Sequence, residues 1–225
     1  EVTDNIAHDL RTPLNRLRGQ LENTRVQISK TDKSGTAAEA MGDQLTQSIH
    51  DIDMLLENFA AILSLSRLES GAVARSDVEV DLAMVVADIA ELYEPVVQDT
   101  GARLEVLVHG ESACVSGERT LISQAIANLL ENALKYGATG ENIGLELSRR
   151  QAPDGIFYDM VVRDCGPGIA AADRERAMAR FVRLEPSRHL PGSGIGLSLV
   201  QAIAQVHGGG LVLSGNFPVS YTHLR

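Results

Sequence analysis

"ERTLISQAIANLLENALKYG", residues 118–137, has the period of a helix with two chemically different faces. At about 100° per residue, Ile122, Ile126, Leu129 and Ala133 share one face of a helix. Asn128, Asn132 and Lys135 gather on a second face roughly 120° away. The apolar face packs on a core. The other offers two carboxamides and an ammonium to whatever lies above it. A solvated polar face is the plain reading of that trio. The chemical reading is a magnesium–triphosphate, because Mg²⁺ keeps several waters and binds mostly to phosphate oxygens, so one asparagine oxygen and one lysine suffice.

Downstream, "VVRDCGPGI", residues 161–169, is a strand that delivers Asp164 into a Gly-Pro-Gly turn. A carboxylate at a strand end can accept from an exocyclic amine such as adenine N6. Gly166 and Gly168 permit close backbone approach to a flat base. An ordinary Asp-Gly turn has the same composition. In "PGSGIGLSLVQAIAQVHGG", residues 191–209, Gly192, Gly194 and Gly196 alternate ahead of an apolar helix. Glycine-rich backbone feeding a helix N-terminus presents N–H groups to phosphate. The spacing is GxGxG with no strand directly before it, which lowers the dinucleotide-binding reading. Gly208, Gly209 and Gly210 close that helix as C-cap residues do.

Upstream the period is different. Ile6, Leu10, Leu14, Leu17, Leu21 and Ile28 recur at helical steps, "TDKSGT" (31–36) is a polar turn, and Leu45, Ile49, Ile52, Leu56, Phe59, then Ile62 or Leu63, continue the repeat. This near-3.5 period predicts a helical hairpin. A lone hairpin buries too little surface, so pairing into a four-helix bundle, a homodimer through residues 1–68, is expected. "ESGAVARSD" (69–77) reads as a linker. From residue 78 strands and helices mix: strands near 78–82, 103–110, 142–150 and 157–165, the last two joined across "QAPDG", and helices near 83–98, 118–136 and 195–206. The fold class is therefore α+β, an antiparallel helical hairpin followed by an α/β sandwich over 78–225.

Composition bounds the function. The chain has 225 residues, 44% apolar but only 4% aromatic and no tryptophan, so its core must be aliphatic. A net charge of −10 argues against a nucleic-acid surface. No apolar run reaches a membrane span and no secretory signal opens the chain. Residue 1 already sits in the helical pattern, so a fragment of a longer protein is expected. Cys114 and Cys165, without CxxC spacing, suggest neither a metal site nor a disulfide framework.

The order of these segments, after "HDLRTPL" (8–14), resembles the sensor histidine kinases of two-component signalling. His8–Leu14 is similar to their H box and Asn128–Tyr136 (NLLENALKY) to their N box. Asp164–Ile169 (DCGPGI) and Gly192–Leu197 (GSGIGL) resemble the two glycine boxes, and Phe181–Arg183 (FVR) resembles the core of the F box. The resemblance implies a Bergerat-type ATP-binding sandwich and makes His8 the phosphoacceptor. Asp9 would fix the imidazole tautomer, Thr12 would position the water that dephosphorylates the partner, and Pro13 would kink the helix beside His8. It further implies adenine on Asp164, Mg²⁺ on Asn132 with Asn128 nearby, Lys135 on phosphate, Tyr136 against base or ribose, and Gly166, Gly168, Gly192, Gly194, Gly196 and Leu197 around the nucleotide. Residues 169–191 would form a lid whose Arg183, with Arg180, steadies the γ-phosphate, and whose Phe181 docks on the domain or the bundle. The implied partner is a response regulator receiver domain, with no nucleic acid. Membrane attachment would come only through segments outside this chain, which fits the cytoplasmic portion of a bacterial inner-membrane sensor.

Departures carry expectations of their own. Met178 stands where the F box has a second phenylalanine, and the lid "RLEPSRHLPG" is short. The end, "FPVSYTHLR", looks like a truncation or frameshift scar, so loss of the final strand from a sheet edge is expected. Two other classes compete. A GHKL-type hydrolase would need a water-activating glutamate four residues before Asn132, where Asn128 stands; Glu131 is adjacent but off that face. A non-catalytic dimeric docking module would not need Asn132, Lys135 and Asp164 together. The remaining histidines (His50, His109, His189, His207, His223) read as structural or surface groups, His207 as a cation favoured at a helix C-terminus.

Overall fold

This computed structural model describes residues 14, 17–24, 26, 36–69, 78–110, 113–137, 140–153, 155–184, 194–214 and 219–224. The chain divides into two compact units, Glu1–Ser66 and Arg67–Arg225.

The first unit is helical over 17–24 (α1) and along the long helix α2, Thr36–Glu69, which continues past the boundary. Arg18 Nε stands 3.2 Å from Asp53 Oδ1 and 3.3 Å from Glu22 Oε1, so one guanidinium serves both helices. Ile49, Ile52 and Leu63 are buried on one face of α2, and Leu65, on the opposite side of that helix, is buried too. Of the two residues that satisfy the repeat near 62, Leu63 takes the interior and Ile62 stays exposed. Leu55 and Ile62, on one face of α2, remain exposed, as does Leu17 on α1. The expected kink at Pro13 and the linker lie outside the described residues.

The second unit has two layers. Strand β1 (Glu79–Asp81) pairs antiparallel with β3 (Cys114–Ser116), with Val80 opposite Val115. The main sheet contains β2 (Leu104–Val108), β4 (Ile143–Ala152), β5 (Gly155–Arg163), β6 (Gly210–Ser214) and β7 (Val219–Leu224), in the order β2-β4-β5-β7-β6. Among the described pairs only β2–β4 is parallel. Helices α3 (Leu82–Asp99), α4 (Arg119–Tyr136) and α6 (Gly196–Val206) cover one face, and the short α5 (Arg174–Ala177) precedes α6 in the chain. Helix α3 starts where the Asp81 carboxylate accepts from the Ala83 N–H at 2.9 Å, an N-cap that satisfies an orphan donor. Leu82, Val85, Ile122, Ile126, Leu130, Leu145, Leu147, Met160, Leu199 and Ile203 fill the interface. The core is aliphatic, as the composition requires.

Each strand and helix expected between 78 and 206 is found within a few residues of its expected place. The C-terminal expectation is corrected. Residues Val219–Leu224 form a strand, and it is not an edge: β7 lies between β5 and β6, with Val161 opposite Tyr221 and Leu213 opposite Ser220. The physical reason is that a ladder is made by main-chain groups, which "VSYTHL" supplies as well as an apolar strand would. Its valine, tyrosine and threonine favour extended backbone.

Candidate functional site

Helix α4 carries the site because its polar face runs between two loops. At its C-terminal end, Gly137 and Gly166 let the chain close up. A Cβ at Gly137 would meet Asp164 Cβ at 3.2 Å, and one at Gly166 would overlap the Tyr136 carbonyl oxygen and meet Asp164 Oδ1 at 2.9 Å. These contacts seat the β5 terminus on Tyr136–Gly137. Asp164 Oδ1 accepts from the Gly166 N–H at 2.8 Å, leaving Oδ2 for a second donor. Burial pushes the Asp164 carboxyl above the usual carboxylate range, and the Gly166 hydrogen bond opposes that rise. Gly168 has φ +69°, a conformation that glycine adopts without strain.

Midway along α4, Asn128 and Asn132 meet the N-terminus of α6. Asn128 Nδ2 donates to the Gln124 carbonyl at 2.8 Å. Its Oδ1 lies 3.0 Å, and Asn132 Nδ2 3.7 Å, from where a Gly196 Cβ would stand. Glycine at 196 thus keeps a helix N-terminus, with its unpaired N–H groups, against two carboxamides. Asn132 Nδ2 is buried without a hydrogen-bond partner among the described residues. A buried polar atom in that state costs free energy unless a ligand completes it. A half turn of the carboxamide puts Oδ1 at the same place, so the position suits a phosphate-bound hard cation. The residues present therefore fit a magnesium–phosphate group.

Lys135 Nζ lies 5.5 Å from the Tyr136 ring centroid. Burial raises the Tyr136 hydroxyl above its ordinary range, and the Arg183 guanidinium pulls it partly back, so Arg183 stands near Tyr136. Titratable groups perturbed by burial and a named charge cluster at functional sites. From Asn128 to Tyr136 the helix rises about 12 Å, with an anion-favouring end at Gly196 and a carboxyl acceptor at Asp164.

Residues 181–182 are stitched to the second glycine segment. Phe181 N–H donates to the Gly194 carbonyl at 3.0 Å; Gly194 has φ +70°, and a Cβ there would meet the Val182 carbonyl at 2.7 Å. Phe181 itself has φ 60° and is 63% exposed. Of the two places expected for it, its own domain does not cover it. Leu197 is half-buried at the start of α6. Gly192, and with it His8, Asp9 and Thr12, lie outside the described residues.

Glu131, the nearest candidate for a water-activating base, accepts from the Tyr93 hydroxyl at 2.9 Å, which ties it to α3. A separate cavity of about 220 Å³ lies on the strands and shares Asp164 with the site, with Glu105, Leu107, Gly144, Glu146 and Cys165 around it. His207, expected as a helix-end group, is buried. The signal available was a histidine placed directly before the C-capping glycines of an apolar helix.

Residues 1–71 match the His Kinase A phosphoacceptor domain, and residues 117–220 match the histidine kinase-, DNA gyrase B- and HSP90-like ATPase. Sensor protein IrlS of Burkholderia pseudomallei is 33% identical over 211 residues, 93% of this chain and 42% of that protein. Sensor protein RstB of Escherichia coli is 34% identical over 212 residues, 93% of this chain and 44% of that protein. The chain thus spans less than half the length of these relatives. The crystal structure of full-length ShkA in complex with AMPPNP superposes with a TM-score of 0.75 at 24% identity, covering 100% of this chain and 45% of that one, which supports the fold. With a phosphoacceptor-type helical unit followed by an ATPase-type sandwich, the chain belongs to the sensor histidine kinases.

Proposed function

We propose that the chain binds Mg²⁺–ATP on the α4 face, transfers the γ-phosphoryl to His8, and passes it on to an aspartate of a response regulator receiver domain. Water-assisted removal of that phosphoryl from the regulator, with Thr12 positioning the water, completes the cycle. The observation that carries the reading is the buried Asn132 amide without a partner, set beside the α6 N-terminus. Asn132 would hold the metal with Asn128 beside it, and the metal would supply charge neutralisation to the phosphates. Asp164 accepts from the adenine amine. Tyr136 packs against base or ribose. Lys135 and Arg183 supply positive charge to the phosphates as charge develops in transfer. The backbone of residues 192–196 and the Leu197 turn receive the phosphate chain. Asp9 hydrogen-bonds one ring nitrogen of His8, leaving the other nitrogen's lone pair for attack.

Dimerisation through residues 1–68 is supported by the exposure of Leu55 and Ile62 on one α2 face and of Leu17 on α1. An apolar seam on one hairpin is what a second copy covers. The hydrolase alternative is disfavoured because Asn128 occupies the place of the activating glutamate and Glu131 is engaged by Tyr93. The test is incubation with γ-labelled ATP and Mg²⁺. Acid-labile, alkali-stable label on the wild-type chain, absent from His8→Gln, supports the proposal. Free labelled phosphate without labelled protein overturns it.

A further inference from the structure

We propose that His207 is a positioning residue of the nucleotide site, fixing the register of α4 against α6 and so the spacing between the Asn128–Asn132 pair and Gly196; this rests on the nucleotide-binding reading above. His207 is 3% exposed, and Ser198 is the other buried polar residue among the described ones. Its Nδ1 lies 2.8 Å from the Ile203 carbonyl, which can only accept, so Nδ1 donates. Its Nε2 accepts from the Glu118 N–H at 3.2 Å, across 89 residues of chain. The two bonds assign one tautomer, with its lone pair directed at the start of α4. Glu118 makes no side-chain cap of its own for that helix. Glycine is required beneath the ring, because a Cβ at Gly117 would overlap His207 Cδ2 and Nε2. Gly117 is held in turn by its N–H, which donates to the Val78 carbonyl at 2.9 Å.

Apart from the Asn128–Asn132 face at Gly196, α4 and α6 bury aliphatic side chains, among them Ile122, Ile126, Leu199 and Ile203. Burial of such side chains is non-directional, and volume alone does not distinguish one ridge-and-groove setting from the next. A buried polar bond with one partner does distinguish them, the registry role best attested for such groups. Helix α6 begins at Gly196 and ends at Val206, beside His207. A slip at the His207–Glu118 end therefore reappears at the other end of α6, where Gly196 faces Asn128 and Asn132. His207 touches no nucleotide; it acts through the placement of the two amides.

The test compares wild type, His207→Leu, His207→Gln and Gly117→Ala in the full chain. Affinity for Mg²⁺–ADP, the thermal transition of the nucleotide-free protein, and the side-chain amide resonances of Asn128 and Asn132 are measured. Wild type is measured first, and failure to bind Mg²⁺–ADP would overturn the nucleotide-site reading and this proposal with it. With wild type binding, His207→Leu should bind Mg²⁺–ADP measurably more weakly, and both asparagine resonances should move. His207→Gln, which retains a donor and an acceptor, should restore most of the affinity. Where His207→Leu gives no cooperative transition, Gly117→Ala decides, since its methyl displaces the ring but leaves both nitrogens; the same loss and resonance shifts are expected. Folded variants with wild-type affinity, or with weakened affinity but unmoved asparagine resonances, overturn the positioning role and leave the nucleotide-site reading standing.

Discussion

At the scale of single residues, Asn132 and Asp164 both bear a cost of burial, in different ways. Asn132 keeps a buried amide without a partner among the described residues. Asn132→Ala removes that cost with the group. The variant should lose Mg²⁺–nucleotide affinity by tenfold or more while its urea midpoint is unchanged or higher; a lower midpoint with affinity retained would show the amide to be structural. Asp164 has its carboxyl raised by burial above its ordinary value of 3.8. The native state then holds the proton more tightly than the unfolded chain does, so this group's contribution to stability falls as pH rises from below 3.8 through the raised value. Asp164→Asn should melt above wild type at neutral pH, with the difference vanishing as pH approaches 3.8. A constant difference across that range would mean that the Asp164 titration is not coupled to folding. In the wild type, nucleotide affinity should fall on acidification through the same window, because a protonated carboxyl is a poorer acceptor.

At the scale of elements, α4 was legible because its two faces differ in chemistry, and Asn128, Asn132 and Lys135 could be grouped by helical geometry alone. Asp164 and the glycines were legible as turn chemistry. What remained hidden depends on partners distant in the chain. The three-residue strand β3 is too short for a period to register. Strand β7 presents serine, threonine and histidine where an apolar strand was sought, and its place between β5 and β6 is fixed by main-chain bonds to both. His207 looked like a helix-end cation because nothing local shows that Gly117 and Glu118 meet it. The choice of Leu63 over Ile62 likewise belongs to packing, since both fit the repeat. The position of β7 has a consequence: ending the chain after Ser214 strips pairing from both β5 and β6. The truncated protein should lose the cooperative thermal transition of its sandwich while the hairpin helicity persists in circular dichroism. An unchanged transition would mean that β7 contributes nothing to the sheet.

At the scale of the whole molecule, one chain is 24.1 kDa, and its helical unit leaves Leu55 and Ile62 exposed one heptad apart. Leu55→Glu with Ile62→Glu should convert a dimer to a monomer in light scattering, without changing Mg²⁺–ADP affinity in the separate sandwich. A double variant that stays dimeric would move the interface elsewhere. The central claim is that the nucleotide lies along the α4 face, from Asp164 to the Gly196 end. A crystal structure of the chain with Mg²⁺ and a non-hydrolysable ATP analogue measures this directly. The adenine amine should lie on the Asp164 carboxylate and the metal on the Asn132 amide oxygen; nucleotide seated instead in the sheet cavity beside Glu105, Leu107 and Glu146 would contradict the claim.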